Sequence, residues 1–318
     1  MSKSEERDRV TFTNLDEPLF AGSDATKRDL VDYLTAVADR IITDVRDRPL
    51  SVIRVIRGQT PFMQKNVPTY TPAFVKTVQL WAEASKREVS YALCNDLRTL
   101  LWFANQRAVE YHPALVRVQD WEHPLYLILD LDPPSADDFP AVVRAAKLVH
   151  QALSDAHLTG AVKTSGSKGV HVFVPLANAS FEDVAAAARG LAIRVERLDP
   201  SVATTAFMKE DRGGKVFIDS TRVGGATVVS AYSPRVRDGV PVSFPIAWDD
   251  LDSVNPRDLT IHTAPGLLAQ HDPWVERMPA PQALPRDVIA EGHAVPLARV
   301  QAMHEGKRRA RARRSDGA

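Results

Sequence analysis

The stretch at residues 124–133 reads PLYLILDLDP. Its apolar run, bounded by Pro124 and Pro133, predicts a buried strand that ends in Asp130 and Asp132. Side chains at positions i and i+2 of a strand point to one face, so the two carboxylates would emerge together. Two like charges beside a core are costly unless a cation compensates them, and Mg²⁺ or Mn²⁺ with oxygen ligands is the natural partner. The alternative is an ordinary acidic strand end followed by an Asp-Pro turn.

A Gly/Ser loop comes next, where residues 164–171 read TSGSKGVH. Two glycines let backbone N–H groups converge on an anion, the Ser165 hydroxyl adds a donor, and Lys168 adds charge. His171 starts the strand that follows. The spacing is not that of a Walker A loop. The pattern therefore favours an anion site of another kind, and the alternative is a Gly/Ser hairpin with a solvated lysine.

Further polar residues stand at the ends of predicted elements. Asp219 ends the apolar stretch KVFID and is a candidate third carboxylate. Arg222 follows it, and Arg235 stands in a Tyr-Ser-Pro-Arg turn that suits a guanidinium for phosphate. His112 is expected at the exit of a helix over 96–109. Strand-end carboxylates, a Gly/Ser/Lys loop and an arginine are together the parts of metal-dependent phosphoryl or nucleotidyl transfer.

Composition describes an ordinary globular chain, with 44% hydrophobic and 25% charged residues. There is no apolar run long enough for a membrane span and no signal-peptide pattern, and Cys94, the one cysteine, excludes an internal disulfide and a thiolate zinc cluster. A cytoplasmic protein is expected. The formal charge of zero argues against a protein that simply coats nucleic acid, but residues 307–314 read KRRARARR and predict DNA contacts by Lys307, Arg308 and Arg309.

Helices and strands interleave along the chain, which predicts a mixed α/β or α+β class with a central sheet. The apolar spacing predicts helices over residues 26–42, 96–109, 140–156 and 181–198. Short apolar or β-branched runs predict strands over residues 50–56, 62–67, 90–93, 125–131, 161–164, 170–175, 216–219 and 227–231. The proline-rich chain after Asp238 is expected to wrap the body.

Three blocks, in this order, resemble the archaeo-eukaryotic primase superfamily: LILDLDPP, TSGSKGVHVFVPL and KVFIDSTRVGGATVVSAYSPR. The chain is similar, more closely, to the polymerase domains attached to bacterial ligase D and to stand-alone primase-polymerases of mycobacteria and other actinobacteria. The similarity runs from about Thr11 to Leu268. It implies a two-module fold with central sheets flanked by helices and an active-site cleft between the modules. The implied organisation is a catalytic domain over 1–298, with modules at about 1–120 and about 121–268 and a wrapping segment over 269–298, followed by a flexible basic tail over 299–318.

The resemblance also implies roles for individual residues. It makes Asp130, Asp132 and Asp219 the catalytic carboxylates that hold two Mn²⁺ or Mg²⁺ ions. The residues implied to bind the incoming nucleotide are His112, close to the sugar and phosphates, with Ser165, Lys168, His171 and Arg235.

Implied DNA contacts are Lys27, Phe62, Met63 and Lys65. The chain departs from its relatives at the Phe62-Met63 pair and at Glu17. Where relatives have two aromatic residues, this chain has Phe62 and Met63, so base stacking is expected to be weaker. Glu17 stands where end-joining relatives use a lysine to hold a 5′-phosphate across the gap, while Lys27 matches their second lysine.

The function implied is that of a DNA-dependent primase-polymerase. It would add nucleotides, with the family's preference for ribonucleotides, to a primer 3′-OH at short gaps or broken ends in DNA repair. Expected partners are gapped or primer-template DNA, nucleoside triphosphates and a separate DNA ligase, with no membrane, in a cytoplasmic, nucleoid-associated setting. One alternative is a haloacid-dehalogenase-like metal-dependent phosphohydrolase, although that family would want its D-x-D motif near the domain start and Thr or Val in place of Pro134. The other is a non-catalytic DNA-binding module.

Overall fold

A computed structural model of the protein describes residues 4–82, 86–135, 137–224, 226–268 and 271–296. Its strands are β1 (Glu5–Arg7), β2 (Val10–Phe12), β3 (Leu50–Arg54), β4 (Phe62–Gln64), β5 (Lys76–Ala82), β6 (Arg87–Leu93), β7 (Ala108–Pro113), β8 (Tyr126–Asp132), β9 (Ala161–Thr164), β10 (Val170–Pro175), β11 (Ala203–Thr204), β12 (Val216–Asp219) and β13 (Pro245–Ile246). Its α-helices are α1 (Lys27–Ala36), α2 (Ala38–Val45), α3 (Leu97–Asn105), α4 (Phe139–Asp155), α5 (Phe181–Leu198), α6 (Ala264–Leu268), α7 (Pro273–Arg277) and α8 (Arg286–Ala294). The predicted basic tail, with Lys307, Arg308 and Arg309, lies outside the described residues.

The chain forms two compact units, and neither is one continuous stretch of sequence. Unit 1 consists of Met1–Leu125, Ala161–Ser167 and Gly224–Met278, and unit 2 consists of Tyr126–Gly160, Lys168–Val223 and Pro279–Ala318. The modules predicted from the sequence, about 1–120 and about 121–268, are continuous instead. The change from unit 1 to unit 2 falls inside the Gly/Ser loop, between Ser167 and Lys168. Interleaving of this kind follows from pairing between distant segments, which a local sequence pattern does not show.

Unit 1 is built on an antiparallel sheet with β3 inside it. The strand β3 pairs with β4 and with Ala92 of β6 on one side and with β7 on the other, and β5 pairs with β6. The strand β1 pairs with β2, and β9 pairs with β13. The core of the helices α1, α2 and α3 is apolar, and its fully buried side chains include Leu30, Leu34, Ile41, Leu100 and Leu101.

Several element bounds in unit 1 differ from the prediction. The single helix expected over 26–42 is two helices, because the backbone leaves helical geometry at Val37 (φ −105°, ψ 10°) while the apolar spacing continues past it. The strand predicted over 227–231 is only an isolated bridge between Thr227 and Ala114. Strand β5 was not predicted, since its residues are mostly exposed or half-buried and carry a weak apolar signal.

The expectation that His112 stands at a helix exit is wrong. The helix α3 ends at Asn105, Arg107 then adopts a left-handed conformation (φ 58°), and His112 lies on β7. Most residues of β7 are buried, so the two-residue alternation that marks a half-exposed strand is absent from its sequence. This placement puts Glu110 and His112, two positions apart, on the same face of a strand.

In unit 2, the apolar strand β8, which ends in Asp130 and Asp132, is a central strand of the sheet. Its sheet has the order β11-β12-β8-β10, with β8 antiparallel to both of its neighbours and β11 parallel to β12. As predicted, β8 is buried: Leu127, Ile128, Leu129 and Leu131 are at most 1% exposed. Their burial, with that of α4 and α5, supplies the hydrophobic stabilisation of the unit.

The mixed α/β class is confirmed by helices and sheets in both units. Among the helices of the described ranges, none combines the length and the apolar character that are needed to cross a bilayer.

The helices α5 and α8 of unit 2 pack closely through two glycines. A Cβ atom on Gly190 would lie 2.5 Å from the Val288 carbonyl oxygen, and one on Gly292 would lie 1.7 Å from that of Ala186. Both contacts are with backbone, so neither neighbour can turn away. The helices approach each other only because these two positions lack side chains.

We expect Gly292→Ala to lower the free energy of unfolding by about 1–3 kcal/mol, because the added methyl forces α8 off α5. Urea denaturation followed by circular dichroism measures this. The matched control is Gly266→Ala in α6, where a Cβ atom would meet nothing within 4 Å. Equal stability of the two variants would contradict the packing described for α8.

Candidate active site

The three predicted carboxylates lie on two neighbouring strands of unit 2. Asp130 of β8 stands directly opposite Asp219 of β12, and the two residues are 7% and 6% exposed. Asp132 follows two positions later, at the half-buried end of β8. Residues opposite each other on paired strands share a face, as do positions i and i+2 of one strand. The structure therefore brings Asp130, Asp132 and Asp219 together on one face of the sheet.

Asp130 is held between an arginine and a histidine. The Arg222 guanidinium donates to Asp130 Oδ2 from Nη2 (2.8 Å) and Nε (3.1 Å), and Nη2 lies 3.3 Å from Asp219 Oδ2. On the other side, His171 of β10 pairs opposite Asp130, with Nε2 at 3.3 Å from Oδ1. Burial alone would raise the pKa of Asp130, but the charges of His171 and Arg222 hold it well below its usual range.

Asp132 is in the opposite electrostatic situation. Burial raises the pKa of Asp132, and the neighbouring charge of Asp130 raises it further, against the opposing effect of Lys168, Arg212 and Arg222. Asp132 is therefore easier to protonate than a solvated carboxylate, and a cation bound beside it would favour its ionised form. A sequence pattern did not single out Arg212, whose guanidinium lies 3.9 Å from the Phe217 ring centroid.

The donor set suits a divalent cation by its chemistry. The three carboxylates on one face offer hard oxygen ligands, which divalent cations such as Mg²⁺ and Mn²⁺ prefer. The pKa of one of them, Asp132, is raised. In the described ranges, however, there is no group of three or more His, Cys, Asp or Glu side chains arranged to hold a metal ion. The Arg222 guanidinium contacts both Asp130 and Asp219. An ion shared by these two carboxylates would have to take its place.

The part of the Gly/Ser loop that belongs to unit 2 lies against the end of β8. Lys168 Nζ donates to the Pro133 carbonyl oxygen at 3.0 Å. A Cβ atom on Gly169 would lie 2.0 Å from the Leu131 carbonyl oxygen, so only glycine allows the loop to come this close to β8. The lysine is thereby placed beside the strand that carries Asp132.

The part of the loop that belongs to unit 1 contacts Arg235. The Arg235 guanidinium donates to the Ser165 carbonyl oxygen through Nη1. Gly166 has φ +65°, and a Cβ atom there would lie 2.6 Å from Arg235 Cγ and 2.8 Å from the Ser243 nitrogen. The glycine is required by both its backbone conformation and its surroundings. Ser165 and Arg235, for which the resemblance implies one role, are in contact.

Sequence reasoning missed the carboxylate that joins His112 to Arg235. The Oε2 atom of Glu110 lies 2.9 Å from His112 Nε2 and 3.1 Å from Arg235 Nε, and Oε1 accepts a hydrogen bond from the Val236 N–H at 2.9 Å. Glu110 is 4% exposed. The sequence does place an acidic residue two positions before His112. The prediction that a helix ends there gave no reason to expect the two side chains on one face of a strand. His112, Glu110 and Arg235 form one cluster, which we call the Glu110 cluster.

The residues predicted to contact DNA are placed in different environments. Lys27 is buried, its ammonium group donates to Thr13 O (2.8 Å) and Asn105 Oδ1 (2.7 Å), and burial lowers its pKa to about 8. Met63 is 42% exposed and Lys65 is exposed, whereas Phe62 is half-buried. Of these residues, Met63 and Lys65 present their side chains on the surface of unit 1.

Glu17 lines a cavity of about 930 Å³ in unit 1. Its carboxylate lies 3.4 Å from Arg107 Nη1. Arg28 pairs with Asp16 and Glu5. Residues with charged side chains around the same cavity are Glu17, Arg57, Arg107, Arg237 and Asp238. The Glu17 carboxylate is thus paired with an arginine of the chain itself.

Comparison with known proteins places the chain in a family. Residues 26–274 match the model of the LigD primase-polymerase domain. The chain is 31% identical to the bifunctional non-homologous end joining protein LigD of Bacillus subtilis, over 80% of this chain and 42% of that protein. It is 29% identical to the multifunctional non-homologous end joining protein LigD of Mycobacterium bovis, over 86% of this chain and 37% of that protein.

The chain thus spans about two fifths of the length of these relatives. Among solved structures it resembles the polymerase domain of Mycobacterium tuberculosis Ligase D in complex with DNA, with a TM-score of 0.77 and 29% identity. The match covers 86% of this chain and 98% of that domain. The carboxylate face, the Gly/Ser loop and the Arg235 turn all fall within the matched residues, and the chain belongs to the LigD primase-polymerase domain family.

Proposed function

We propose that this chain adds nucleotides to a primer 3′-OH at gaps or broken ends of DNA, in repair by non-homologous end joining. As a member of its family, the chain is a nucleotidyltransferase of the primase-polymerase type. The observation that carries the proposal is the pairing of Asp130 with Asp219 on adjacent strands, with Asp132 beside them. Three carboxylates on one face of two adjacent strands match what nucleotidyl transfer needs.

Asp130, Asp132 and Asp219 would hold Mn²⁺ or Mg²⁺, two ions in our proposal. Bound there, the ions supply charge neutralisation for the reacting phosphoryl group and activate the attacking oxygen. An ion held by both Asp130 and Asp219 would replace the Arg222 guanidinium, which contacts both carboxylates and whose side chain is 37% exposed.

Cationic and hydroxyl groups of the chain would bind the triphosphate. Arg235 offers a planar fork of donors, and Lys168 offers a compact charge. Ser165 adds a hydroxyl, and His171 keeps contact with Asp130. Electrostatic stabilisation of this kind is the main protein contribution to phosphoryl transfer. We propose that the enzyme prefers ribonucleoside triphosphates, as the resemblance implies.

DNA binding is proposed for the exposed residues of unit 1. Met63 and Lys65 offer an apolar surface for a base and a charge for the backbone. The similar polymerase domain of Mycobacterium tuberculosis Ligase D is in complex with DNA, which supports gapped or primer-template DNA as the partner. A DNA ligase would seal the extended end. A cytoplasmic, nucleoid-associated location follows from this proposal.

The two alternatives raised by the sequence are not favoured. A haloacid-dehalogenase-like hydrolase would use the first aspartate of D-x-D as a nucleophile, but Asp130 is engaged by Arg222 and His171 and lies in a primase-polymerase family domain. A non-catalytic DNA-binding module would have no use for three carboxylates on one sheet face.

Asp132→Asn is expected to abolish primer extension without destabilising the protein. The raised pKa of Asp132 means that folding disfavours its ionised form, so a neutral isostere removes a repulsion at neutral pH while it removes a metal ligand. Extension should fall by at least about a hundredfold. The measurements are gel-based extension of a gapped duplex with Mn²⁺, thermal unfolding and DNA affinity.

The matched control is Asp24→Asn, at an exposed position in unit 1. It should retain full activity. Extension at the wild-type rate by Asp132→Asn would contradict the role of this carboxylate, and a lower melting temperature with unchanged activity would show that it only stabilises the fold.

Glu17→Lys is expected to strengthen the preference for a 5′-phosphate on the downstream strand of a gap. The substitution removes the partner of Arg107 and adds a positive charge at the cavity. Because the pair is partly exposed, a gain of about 1 kcal/mol, roughly fivefold in relative affinity, is expected. Binding to gapped duplexes with a 5′-phosphate or a 5′-hydroxyl measures it.

The control is Glu6→Lys, the same change of charge at an exposed position of β1. It should leave the ratio of the two affinities unchanged. A strong wild-type preference that Glu17→Lys does not alter would show that the phosphate binds elsewhere.

A further inference from the structure

In unit 2, the Arg222 side chain joins one oxygen of Asp130 to one oxygen of Asp219. The other oxygen of each carboxylate has its own neighbour. Asp130 Oδ1 lies 3.3 Å from His171 Nε2. Asp219 Oδ1 accepts hydrogen bonds from the Thr221 N–H (2.8 Å) and the Thr221 hydroxyl (2.6 Å). The two Oδ2 atoms contact a single atom, Nη2 of Arg222, at 2.8 Å and 3.3 Å. One guanidinium nitrogen therefore lies where a cation shared by the two carboxylates would lie.

The pairing of β8 with β12 brings these two carboxylates together. Asp130 stands directly opposite Asp219, and the residues are only 7% and 6% exposed. Two ionised carboxylates in such a place repel each other, and burial weakens the screening of that repulsion by water. The positive charge of Arg222 offsets the repulsion. The arginine thus does for the carboxylate pair what a bound metal ion would do.

Arg222 reaches the pair from a short turn, so its side chain can leave while the backbone stays in place. It is the third residue after Asp219, and the turn between them is fixed by the Thr221 hydrogen bonds to the Asp219 carboxylate. The Arg222 side chain is 37% exposed, whereas those of Asp130 and Asp219 are 10% and 8% exposed. Rotamer changes of exposed side chains are fast. The guanidinium is therefore the part of this cluster that can be exchanged for another cation.

Binding of a divalent ion by these two carboxylates must be a competition with Arg222. Divalent cations such as Mg²⁺ bind carboxylate oxygens at about 2.0–2.1 Å, which leaves no room for Nη2 against the same two Oδ2 atoms. The contacts that Arg222 loses reduce the affinity for the ion. The same contacts stabilise the chain when no ion is bound.

We propose that Arg222 is an internal substitute for a divalent cation, which holds Asp130 and Asp219 in place in the metal-free chain and lowers the affinity of the pair for metal by competition. The inference rests on the proposed function, because Mn²⁺ or Mg²⁺ at these carboxylates is part of that proposal. It gives a role in regulating metal binding to a side chain that is neither a metal ligand nor part of the proposed triphosphate site.

The first test compares Mn²⁺ binding by the wild-type chain and by Arg222→Met, without nucleotide or DNA. Electron paramagnetic resonance measures the free Mn²⁺. Methionine has no charge and no oxygen that could bind the ion, so Mn²⁺ should bind about tenfold to a hundredfold more tightly. The control Arg197→Met removes an arginine that pairs with Glu291 at the exposed end of α5, and it should leave the affinity unchanged. Equal or weaker binding by Arg222→Met overturns the inference.

A double variant locates the gain at the carboxylate pair. In Arg222→Met/Asp219→Asn, one of the two Oδ2 atoms that contact Arg222 belongs to a charged group no longer. The tighter binding of Arg222→Met should therefore disappear, with the affinity at or below that of the wild type. A gain that persists in the double variant places the ion elsewhere and overturns the inference.

A merely structural role for Arg222 predicts a different pattern of thermal stability. Without metal, Arg222→Met should melt about 5 °C below the wild type, because the two carboxylates then repel each other. Saturating Mn²⁺ should remove most of this difference, since the ion binds the variant more tightly and supplies the missing charge. A difference that is the same with and without Mn²⁺ shows that Arg222 only stabilises the fold, and it overturns the inference.

The results separate this inference from the proposed function. Tighter Mn²⁺ binding by Arg222→Met, in a protein whose wild type does not extend primers, supports the inference and overturns the proposed function. Primer extension by the wild type, with a Mn²⁺ affinity that does not respond to Arg222→Met, supports the proposed function and overturns the inference.

If Arg222→Met does not fold, crystals of the wild-type chain soaked with Mn²⁺ decide. A guanidinium displaced from Asp130 and Asp219 by a bound ion supports the inference. A guanidinium that still contacts both carboxylates beside the bound ion overturns it.

Discussion

Three carboxylates on one face of an antiparallel sheet are the constraint on which unit 2 depends. Asp130 and Asp219 face each other across a single strand pairing, and Asp132 ends the same strand. Crowded charge of this kind beside a core is costly, and the chain balances it with Arg222 and His171, placed from neighbouring segments. The balance is incomplete at Asp132. In the proposed function, Arg222 occupies the place where the divalent ions would bind.

A second buried carboxylate organises unit 1 in a different way. Glu110 is fully compensated, since Arg235 and His112 share one of its oxygens and Val236 occupies the other. Complete compensation makes it a fixed support for its partners, whereas incomplete compensation at Asp132 leaves demand for a ligand. The two clusters show how carboxylates of one chain are held by different partners in different environments.

The sequence predicted the site best where the residue types and the periodicity of the strand indicated the same arrangement. Alternation in β8 placed Asp130 and Asp132 on one face, and the glycine spacing of the loop marked Gly166 and Gly169, both of which prove to be sterically required. It was least informative where buried elements hide their period, as in β7, and there it missed Glu110 and misplaced His112. The pairing of Asp130 with Asp219 and the contact of Glu17 with Arg107 join distant segments, and such contacts follow from the fold and not from local pattern.

The central claim is nucleotidyl transfer to a primer. It is tested most directly by incubating the protein with a gapped duplex, Mn²⁺ and nucleoside triphosphates, and by measuring primer extension and released pyrophosphate in the same reaction. The account predicts one pyrophosphate for each nucleotide added, and no release when the primer ends in a 3′-deoxynucleotide. Release of inorganic phosphate without extension of the primer would contradict it.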